Sequence, residues 1–510
     1  MLTVSVWKMK MSEKSQFIIL VVLAFFLALT GQASAQVSVA AQSLDPVPDL
    51  LHDLHNLAAQ KPVSLAVITG GRPVQGVAAD GVTEMLVRIP ASSAGDQFTL
   101  TLLNDQNSPS DNPDDDGCLM EVGGTSCSSS LTVQAVDLIS LNPGSPIPAA
   151  AFALYRAPVD FVRPSRPADV DLAPGERSVS LQLQSQLQRG PVIVPIRIVR
   201  PPVVLIHGIW GSAASWQSFP LASDPRFTTY KVDYGDTSGD AIDVNTLRVA
   251  MQLFGKAGYL QEFKTSADVA AVQFDAITHS MGGLIVRNMA KYPLFLNGTN
   301  YRQGYIHKLV TLDTPHLGSQ FADILYNSGP TCRTIFALAG MPVAGAVRDL
   351  EYQGAFIQTL LSTTLPLRAH LIAGQATAQQ TLAATGAIVL LEGLLKKSGL
   401  TCQLLPVGGF PKVFATPTDP NGESDLIVSV VSQLGESDQS DHAGIGTDGG
   451  TPPGDPAYDG VEHTEGTPGS LTALFFPGPA PYDPATPIPQ RAIDLLNTPI
   501  NPADFGAIVP

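Results

Sequence analysis

Charged residues, and basic residues above all, are scarce in this sequence. Of its 510 residues only 15% are charged, and 29 lysines and arginines stand against 45 aspartates and glutamates, which gives a formal net charge of −16. A nucleic-acid backbone or an anionic membrane surface would repel such a protein. We therefore expect no nucleic acid among its main partners, and neutral or cationic substrates fit better.

Long apolar runs are also few. The run Phe17–Leu29 follows three lysines and precedes Ala33-Ser34-Ala35, in the order of a secretory signal peptide. At about 13 residues it is shorter than the roughly 20 needed to span a bilayer. We predict a signal peptide over residues 1–35, cleaved after Ala35, and a secreted or periplasmic protein. Glycines and Glu392 interrupt the later apolar segment Ala387–Leu395, so we expect no transmembrane segment in the mature chain.

Cysteine is scarce, and the spacings between the cysteines do not resemble a zinc site. The four cysteines, Cys118, Cys127, Cys332 and Cys402, allow three disulfide pairings, which export would permit. Nearness in the chain favours Cys118 with Cys127. Cys332 would then pair with Cys402 and close a loop of about 70 residues.

The chain is too long for one ordinary core, and the pattern of its apolar residues changes near residue 200. Between Pro62 and Arg200, short alternating apolar runs are each followed by turn residues, as in Phe98–Leu102 and Ser178–Leu183. This pattern predicts an all-β, sandwich-like domain over residues 36–200. Within it, residues 104–117 carry aspartates dense enough for a calcium loop, although a solvated acidic hairpin tip is the simpler interpretation: Asp105, Asp111, Asp114, Asp115 and Asp116.

From residue 201 the apolar runs no longer alternate. Val203–Ile206 is continuously apolar, as a strand buried on both faces of a parallel sheet requires, and similar runs recur between stretches with helical spacing. Alternation of strands and helices predicts an α/β domain with a parallel sheet over residues 201–510. Residues 435–469, rich in Gly, Asp and Pro, are expected to form a long acidic loop, and Gln490–Asn497 a closing helix.

The strongest chemical signal is Thr278-His279-Ser280-Met281-Gly282-Gly283, which stands between a strand-like and a helix-like segment. Small residues around the serine fit the tight turn of a nucleophile elbow, which pushes the hydroxyl of Ser280 out of the sheet. Thr278 replaces the first glycine of the G-x-S-x-G pattern. The sequence predicts Ser280 as a nucleophile.

A glycine-flanked loop, His207-Gly208-Ile209-Trp210-Gly211-Ser212, leaves the first strand of this domain. Together with the serine motif and Thr311–Ser319, it resembles bacterial triacylglycerol lipases and other serine esterases of the α/β-hydrolase superfamily, over roughly residues 200–500. The resemblance implies an α/β-hydrolase fold and an oxyanion hole made by the amides of Ile209 and Met281, with Trp210 a weaker candidate for the first position. It implies no metal and no organic cofactor.

In this fold the nucleophile is followed by the acid and then by the histidine. Only His442 and His463 lie late enough, and His463 precedes the closing helix, where the resemblance places the catalytic base. His207, His279 and His316 are expected to pack and to anchor loops. The resemblance points to Asp425 as the acid that orients the base, with three other candidates: Glu423, Asp419 and Asp313.

The segment 319–366 has no place in a minimal sheet, and the resemblance suggests a lid over an apolar acyl pocket; an ordinary helical insertion is the alternative. We therefore expect a serine hydrolase that cleaves lipid-like carboxylic esters through an acyl-enzyme, with transient contact to a lipid interface. An acyltransferase or a polyester depolymerase would use the same residues. A non-catalytic surface-binding protein that acts through its β-domain is the alternative from another class.

Overall fold

A computed structural model of the protein describes most of the chain after the N-terminal segment. The predicted signal peptide, residues 1–35, and His442 lie outside the described residues. The described ranges are 66–69, 72–122, 124–137, 148–185, 190–296, 300–338, 340–363, 365–417, 419–435, 446–448, 457–464, 476, 478–501 and 504–507.

The first part of the chain is built from strands, with one short helix, α1 (Pro113–Asp116), and one 3-10 turn, Pro167–Asp171. The strands are β1 (Ala66–Thr69), β2 (Arg72–Pro73), β3 (Gly76–Ala78), β4 (Glu84–Ala91), β5 (Gln97–Leu103), β6 (Cys118–Met120), β7 (Ser130–Gln134), β8 (Val136–Asp137), β9 (Ala149–Arg156), β10 (Glu176–Ser185) and β11 (Val192–Val199). One sheet has the order β2-β1-β4-β9-β6, with β8 also on β9, and the other contains β3-β11-β10-β5-β7.

The two sheets face each other across one apolar core. Strand β10 shows why, because Val179, Leu181 and Leu183 are buried while Ser180 and Gln182 between them are half-buried. Residues of β4 and β9 from the other sheet belong to the same buried cluster. Period-two alternation therefore builds a two-layer β domain, and the predicted all-β domain is confirmed.

The aspartate-rich segment differs from the solvated hairpin tip that the sequence favoured. Asp115 and Asp116 are buried, and a carboxylate oxygen of Asp116 lies 3.8 Å from Arg163 and 3.7 Å from Arg177. Asp105 also pairs with Arg163, at 3.1 Å. These arginines come from segments that follow in the chain, so their approach could not be read from the acidic segment alone.

The second part of the chain alternates strands with helices. Its strands are β12 (Val203–Ile206), β13 (Thr229–Val232), β14 (Val269–Ala270), β15 (Phe274–His279), β16 (Ile306–Leu312), β17 (Arg368–Ile372), β18 (Gly374–Gln375), β19 (Gly446–Asp448), β20 (Tyr458–Asp459) and β21 (Gly506–Ala507). Its helices are α2 (Ile242–Phe254), α3 (Tyr259–Ser266), α4 (Met281–Ala290), α5 (Gln320–Asn327), α6 (Pro330–Leu338), α7 (Gly345–Asp349), α8 (Ala355–Leu361), α9 (Ala378–Lys397), α10 (Phe410–Phe414), α11 (Val430–Gln433) and α12 (Ile488–Asn497), with 3-10 turns at Ala213–Trp216, Pro220–Ser223 and Pro293–Phe295.

The main sheet has the order β13-β12-β15-β16-β17-β19, all parallel, and β21 adds antiparallel to β17. Both faces are covered, since Val204 and Ile206 of β12 join the core on one side while Val203 and Leu205 join the core on the other. The predicted parallel α/β sheet is confirmed. Strands β19 and β20 lie inside the segment 435–469 that was expected to be a loop, so that expectation is wrong for these residues.

The β domain and the α/β domain are joined by more than the linker. Strand β14 extends the second sheet of the β domain by pairing with β3, and the Asp80 carboxylate accepts hydrogen bonds from the amides of Val272 and Gln273, each at 3.2 Å. Lys308 on β16 forms a buried ion pair of 2.6 Å with Asp160. The first domain is therefore anchored to the end of the parallel sheet at which β15 and β16 begin.

Helix α9 runs without a break through Gly386 and Gly393. It is the one helix among the described residues that is long and apolar enough to cross a membrane, judged by length and composition only. The expectation that no later segment would meet that test is therefore wrong. The two disulfides are Cys118–Cys127 and Cys332–Cys402, the pairing that nearness favoured, and the second ties α6 to the segment after α9.

Candidate active site

Ser280 occupies the turn between β15 and α4. Its backbone has φ 53° and ψ −129°, a left-handed conformation that costs a non-glycine residue free energy. The residues around it are small because there is no room: a Cβ on Gly208 would lie 2.7 Å from the Cβ of Ser280, and a Cβ on Gly282 would lie 2.5 Å from the carbonyl oxygen of Ile206. Thr278 lies within the buried strand, so its branched side chain does not occupy the turn itself.

The structure brings three of the predicted residues into one hydrogen-bonded line. His463 Nε2 lies 2.7 Å from Ser280 Oγ, and His463 Nδ1 lies 2.7 Å from Asp425 Oδ2. A carboxylate accepts, so Nδ1 carries the proton and Nε2 is free to accept from the serine hydroxyl. All three side chains are buried.

The Asp425 carboxylate is held by its own loop. Its Oδ1 accepts hydrogen bonds from the amides of Ile427, at 2.9 Å, and Val428, at 2.7 Å. Burial raises the pKa of Asp425, while these amides lower it. Burial lowers the pKa of His463 to about 3, so its imidazole is neutral and able to accept a proton.

The other acid candidates have different surroundings. The Asp419 carboxylate accepts from the amides of Asn421, Gly422 and Glu423 in its own turn. Asp313, which directly follows β16, is fully buried close to the Asp425–His463 pair. Burial, followed by the charge of Asp425, raises the pKa of Asp313 well above its usual range.

The predicted oxyanion donors are the backbone amides of Ile209 and Met281. Ile209 follows Gly208, which packs against Ser280, and Met281 is the first residue of α4. Neither amide donates a hydrogen bond to another group within the described part of the chain. An unpaired amide at a helix N-terminus, as at Met281, favours negative charge. Trp210 has a different contact, since its indole N–H donates to the carbonyl oxygen of Pro342 at 3.1 Å.

The three early histidines make contacts outside the serine–histidine line. His207 stacks on Tyr234 with ring centres 3.9 Å apart, and His316 lies within 3.1 Å of both Arg287 and Thr311. His279 Nε2 lies 2.9 Å from the backbone oxygen of His463. Of the three histidines, His279 is therefore the one that contacts a residue of the serine–histidine line, through the backbone of His463.

A cavity of about 370 Å³ opens beside Ser280 and is lined mainly by apolar side chains. The predicted lid segment, 319–366, contributes Phe321, Phe336 and Met341, but residues outside it close the cavity as well. Helix α9 supplies Ile388, and the stretch that follows supplies Leu404 and Phe410. We therefore define the cap as the described residues of 319–361 and 378–414, which lie before and after the sheet strands β17 and β18 in the chain. The signal that the sequence prediction missed is that residues 378–391 of α9 carry no charged side chain.

Comparisons with known proteins give a family match over this part of the chain. Residues 203–438 match the model of the alpha/beta hydrolase family. Among proteins with curated descriptions, none matches the chain. A solved lipase from Bacillus licheniformis in its mature form shares 19% identity over 46% of this chain and 78% of that chain, with a TM-score of 0.29.

Two further solved structures are similar at the same low level. The propeptide form of the same Bacillus licheniformis lipase shares 17% identity over 59% of this chain and 51% of that chain, with a TM-score of 0.34. Phospholipase PlaB from Legionella pneumophila shares 16% identity over 46% of this chain and 45% of that chain, with a TM-score of 0.29. The parallel sheet and the family match over residues 203–438 show that this chain contains an alpha/beta hydrolase domain.

Proposed function

We propose that the protein is an exported serine hydrolase that cleaves carboxylic esters with lipid-like acyl groups. The observation that carries this proposal is the line of two 2.7 Å contacts from Ser280 through His463 to Asp425. In the proposed reaction His463 takes the proton of Ser280, whose oxygen attacks the ester carbonyl. Asp425 holds the imidazolium that forms, and His463 then protonates the leaving alcohol.

The amides of Ile209 and Met281 would bind the oxyanion of the tetrahedral intermediate. Removing one such donor typically lowers the rate about 10²- to 10³-fold. Water then attacks the acyl-enzyme, with His463 again as the base, and releases the acid. No step calls for a metal or an organic cofactor.

The apolar cavity and the outer surface of the cap support a lipid-like substrate. Leu338 is 83% exposed, Leu382 74% and Leu390 65%, and they lie on the two helices that supply Phe336 and Ile388 to the cavity lining. Large exposed apolar side chains favour contact with a lipid or another apolar surface when they lie together. The absence of charge from most of α9 suits a neutral interface better than an anionic one.

Hydrolysis of p-nitrophenyl esters with acyl chains of two to sixteen carbons tests the proposal. We expect long-chain activity in the purified protein, and Ser280→Ala and His463→Ala should each lower kcat by about 10⁴-fold or more. Ser223→Ala is the matched control, because Ser223 is an exposed serine outside the cavity lining. Full activity in Ser280→Ala, or no ester hydrolysis and no fluorophosphonate labelling of the wild type, would refute the proposal.

A further inference from the structure

Asp313 is a buried carboxyl that the proposed reaction leaves unused. It follows the last residue of β16 and has a left-handed backbone, with φ 50°. Its Oδ1 accepts a hydrogen bond of 2.7 Å from the amide of Gly374, just after β17. The two neighbouring strands of the sheet thus direct Asp313 to the edge at which Ser280 also lies.

This carboxyl lies close to the proposed catalytic residues. Asp313 Oδ2 is buried and has no hydrogen-bond partner among the described residues. A carboxyl oxygen of Asp313, one of Asp425 and a ring nitrogen of His463 all lie within 4.8 Å of one another. The backbone packs closely here, since a Cβ on Gly374 would lie 2.9 Å from Asp313 Oδ2.

Two carboxyls this close and this deeply buried do not both ionise. Asp425 receives three hydrogen bonds, from two amides and from His463, whereas Asp313 receives one, from Gly374. The negative charge is therefore more stable on Asp425 and the proton on Asp313. The raised pKa of Asp313, which burial causes first and Asp425 second, agrees with this assignment.

We propose that Asp313 and Asp425 form a carboxyl pair with a single negative charge, in which Asp313 is the protonated member and a reserve acid for His463. The proposal rests on the catalytic roles proposed above for Ser280 and His463. In the wild type Asp313 is a neutral positioning residue beside Asp425. When Asp425 is removed, Asp313 releases its proton to solvent and becomes the carboxylate that orients His463.

The titratable groups around the pair come from several segments. Asp425 and His463 lie close to Asp313. Glu462 precedes His463, and burial and then the charge of Asp425 raise the pKa of Glu462. His279 contacts His463 from the end of β15. Of these groups, Asp313 and Asp425 are the two whose carboxyl oxygens lie close to a ring nitrogen of His463.

A double-mutant cycle on the full exported protein tests the pair. We expect Asp313→Asn alone to change kcat less than about threefold, and Asp425→Ala alone to lower it about 10²-fold. The double variant should fall about 10⁴-fold, the loss typical for removal of the triad acid. Asp313→Asn should thus lower kcat only slightly when Asp425 is present and about 10²-fold when Asp425 is absent. KM should stay unchanged in all the variants.

A pH profile separates an acid role from a packing role. In Asp425→Ala, kcat/KM should rise with pH as Asp313 ionises, and this rise should vanish in the double variant. Asp419→Asn, in the same loop as Asp425, is the control and should change kcat by the same factor in both backgrounds. If Asp425→Ala does not fold, Asp425→Asn replaces it, since its side-chain oxygen can still accept from the loop amides.

A different result is that Asp313→Asn lowers kcat by the same factor with Asp425 present and with Asp425 replaced, in an enzyme whose activity depends on Ser280. That result would overturn the carboxyl pair and leave the proposed function intact. A wild type that neither hydrolyses esters nor reacts with a fluorophosphonate would overturn both.

Discussion

The Nε2 atom of His279 donates a hydrogen bond of 2.9 Å to the backbone carbonyl of His463. The acceptor is a carbonyl, so the ring nitrogen must carry the proton. Burial lowers the pKa of His279 well below its usual value, which keeps this ring neutral. The residue next to the proposed nucleophile therefore holds the loop that carries the proposed base.

Loss of this donor should slow the reaction without preventing it. We expect His279→Phe, which keeps an aromatic ring, to lower kcat about 5-fold with little change in KM, because one net hydrogen bond is worth about 1 kcal/mol. Steady-state kinetics on a soluble ester measures this, and His279→Asn should recover part of the rate by restoring a donor. A larger change in KM than in kcat would contradict a positioning role.

Glu462 should make stability depend on pH. Burial raises its pKa to about 7, whereas in the unfolded chain it should be about 4.3. Between these values the folded protein keeps a proton that the unfolded chain releases, so the free energy of unfolding decreases as pH rises from about 4 to 7. Relative to Glu462→Gln, the wild type should lose roughly 3 kcal/mol over that range. Urea unfolding at a series of pH values measures the difference, and parallel curves would contradict it.

The buried pair between Lys308 and Asp160 should matter for attachment of the β domain. Lys308 Nζ also donates to the backbone oxygens of Leu496 and Thr498, at 3.1 Å and 2.7 Å. Lys308→Met leaves Asp160 buried without its counter-charge and should lower the free energy of unfolding by about 3 to 5 kcal/mol. Lys308→Met combined with Asp160→Asn should recover much of that loss. Denaturant unfolding gives both values, and additive losses would show that the two charges are not coupled.

The disulfide Cys332–Cys402 should affect the cavity as well as stability. It closes a loop of 70 residues, and the loop-entropy model gives about 4 kcal/mol for it, against about 3 for Cys118–Cys127, whose cysteines are 9 residues apart. For each disulfide, we expect the variant in which both cysteines are replaced by alanine to unfold more easily than the wild type. Only the Cys332–Cys402 variant should also lower kcat/KM for long-chain esters, because the bond joins the segments that carry Phe336 and Leu404. Equal kinetics in the two variants would refute this link.

The serine motif and the parallel strands could be predicted because their signals are local. The turn at Ser280 requires small residues within a few positions, and an unbroken apolar run such as Val203–Ile206 indicates burial on both faces. His463 and Asp425 were harder, because their only signals were the order of triad residues and the family resemblance. The 2.7 Å contacts that bring them to Ser280 depend on the whole sheet being folded.

Other features have no local signal. Helix α9 is apolar on nearly all sides, with Ile388 facing the cavity and Leu390 facing outwards, so it lacks the polar face by which surface helices are recognised. Asp115 and Asp116 appear solvated in the sequence, since the two arginines beside the Asp116 carboxylate lie more than forty residues further along the chain.

Strand β14 sets an order for folding. Residues 269–270 pair with the edge of β3 in the β domain. The Val272 amide donates a hydrogen bond to the Asp80 carboxylate, which lies 192 positions before it. A chain that is synthesised N-terminus first therefore exposes this strand edge until much of the α/β domain has followed. Unpaired edges promote association between chains, so a fragment that ends near residue 200 should aggregate more readily than the whole protein.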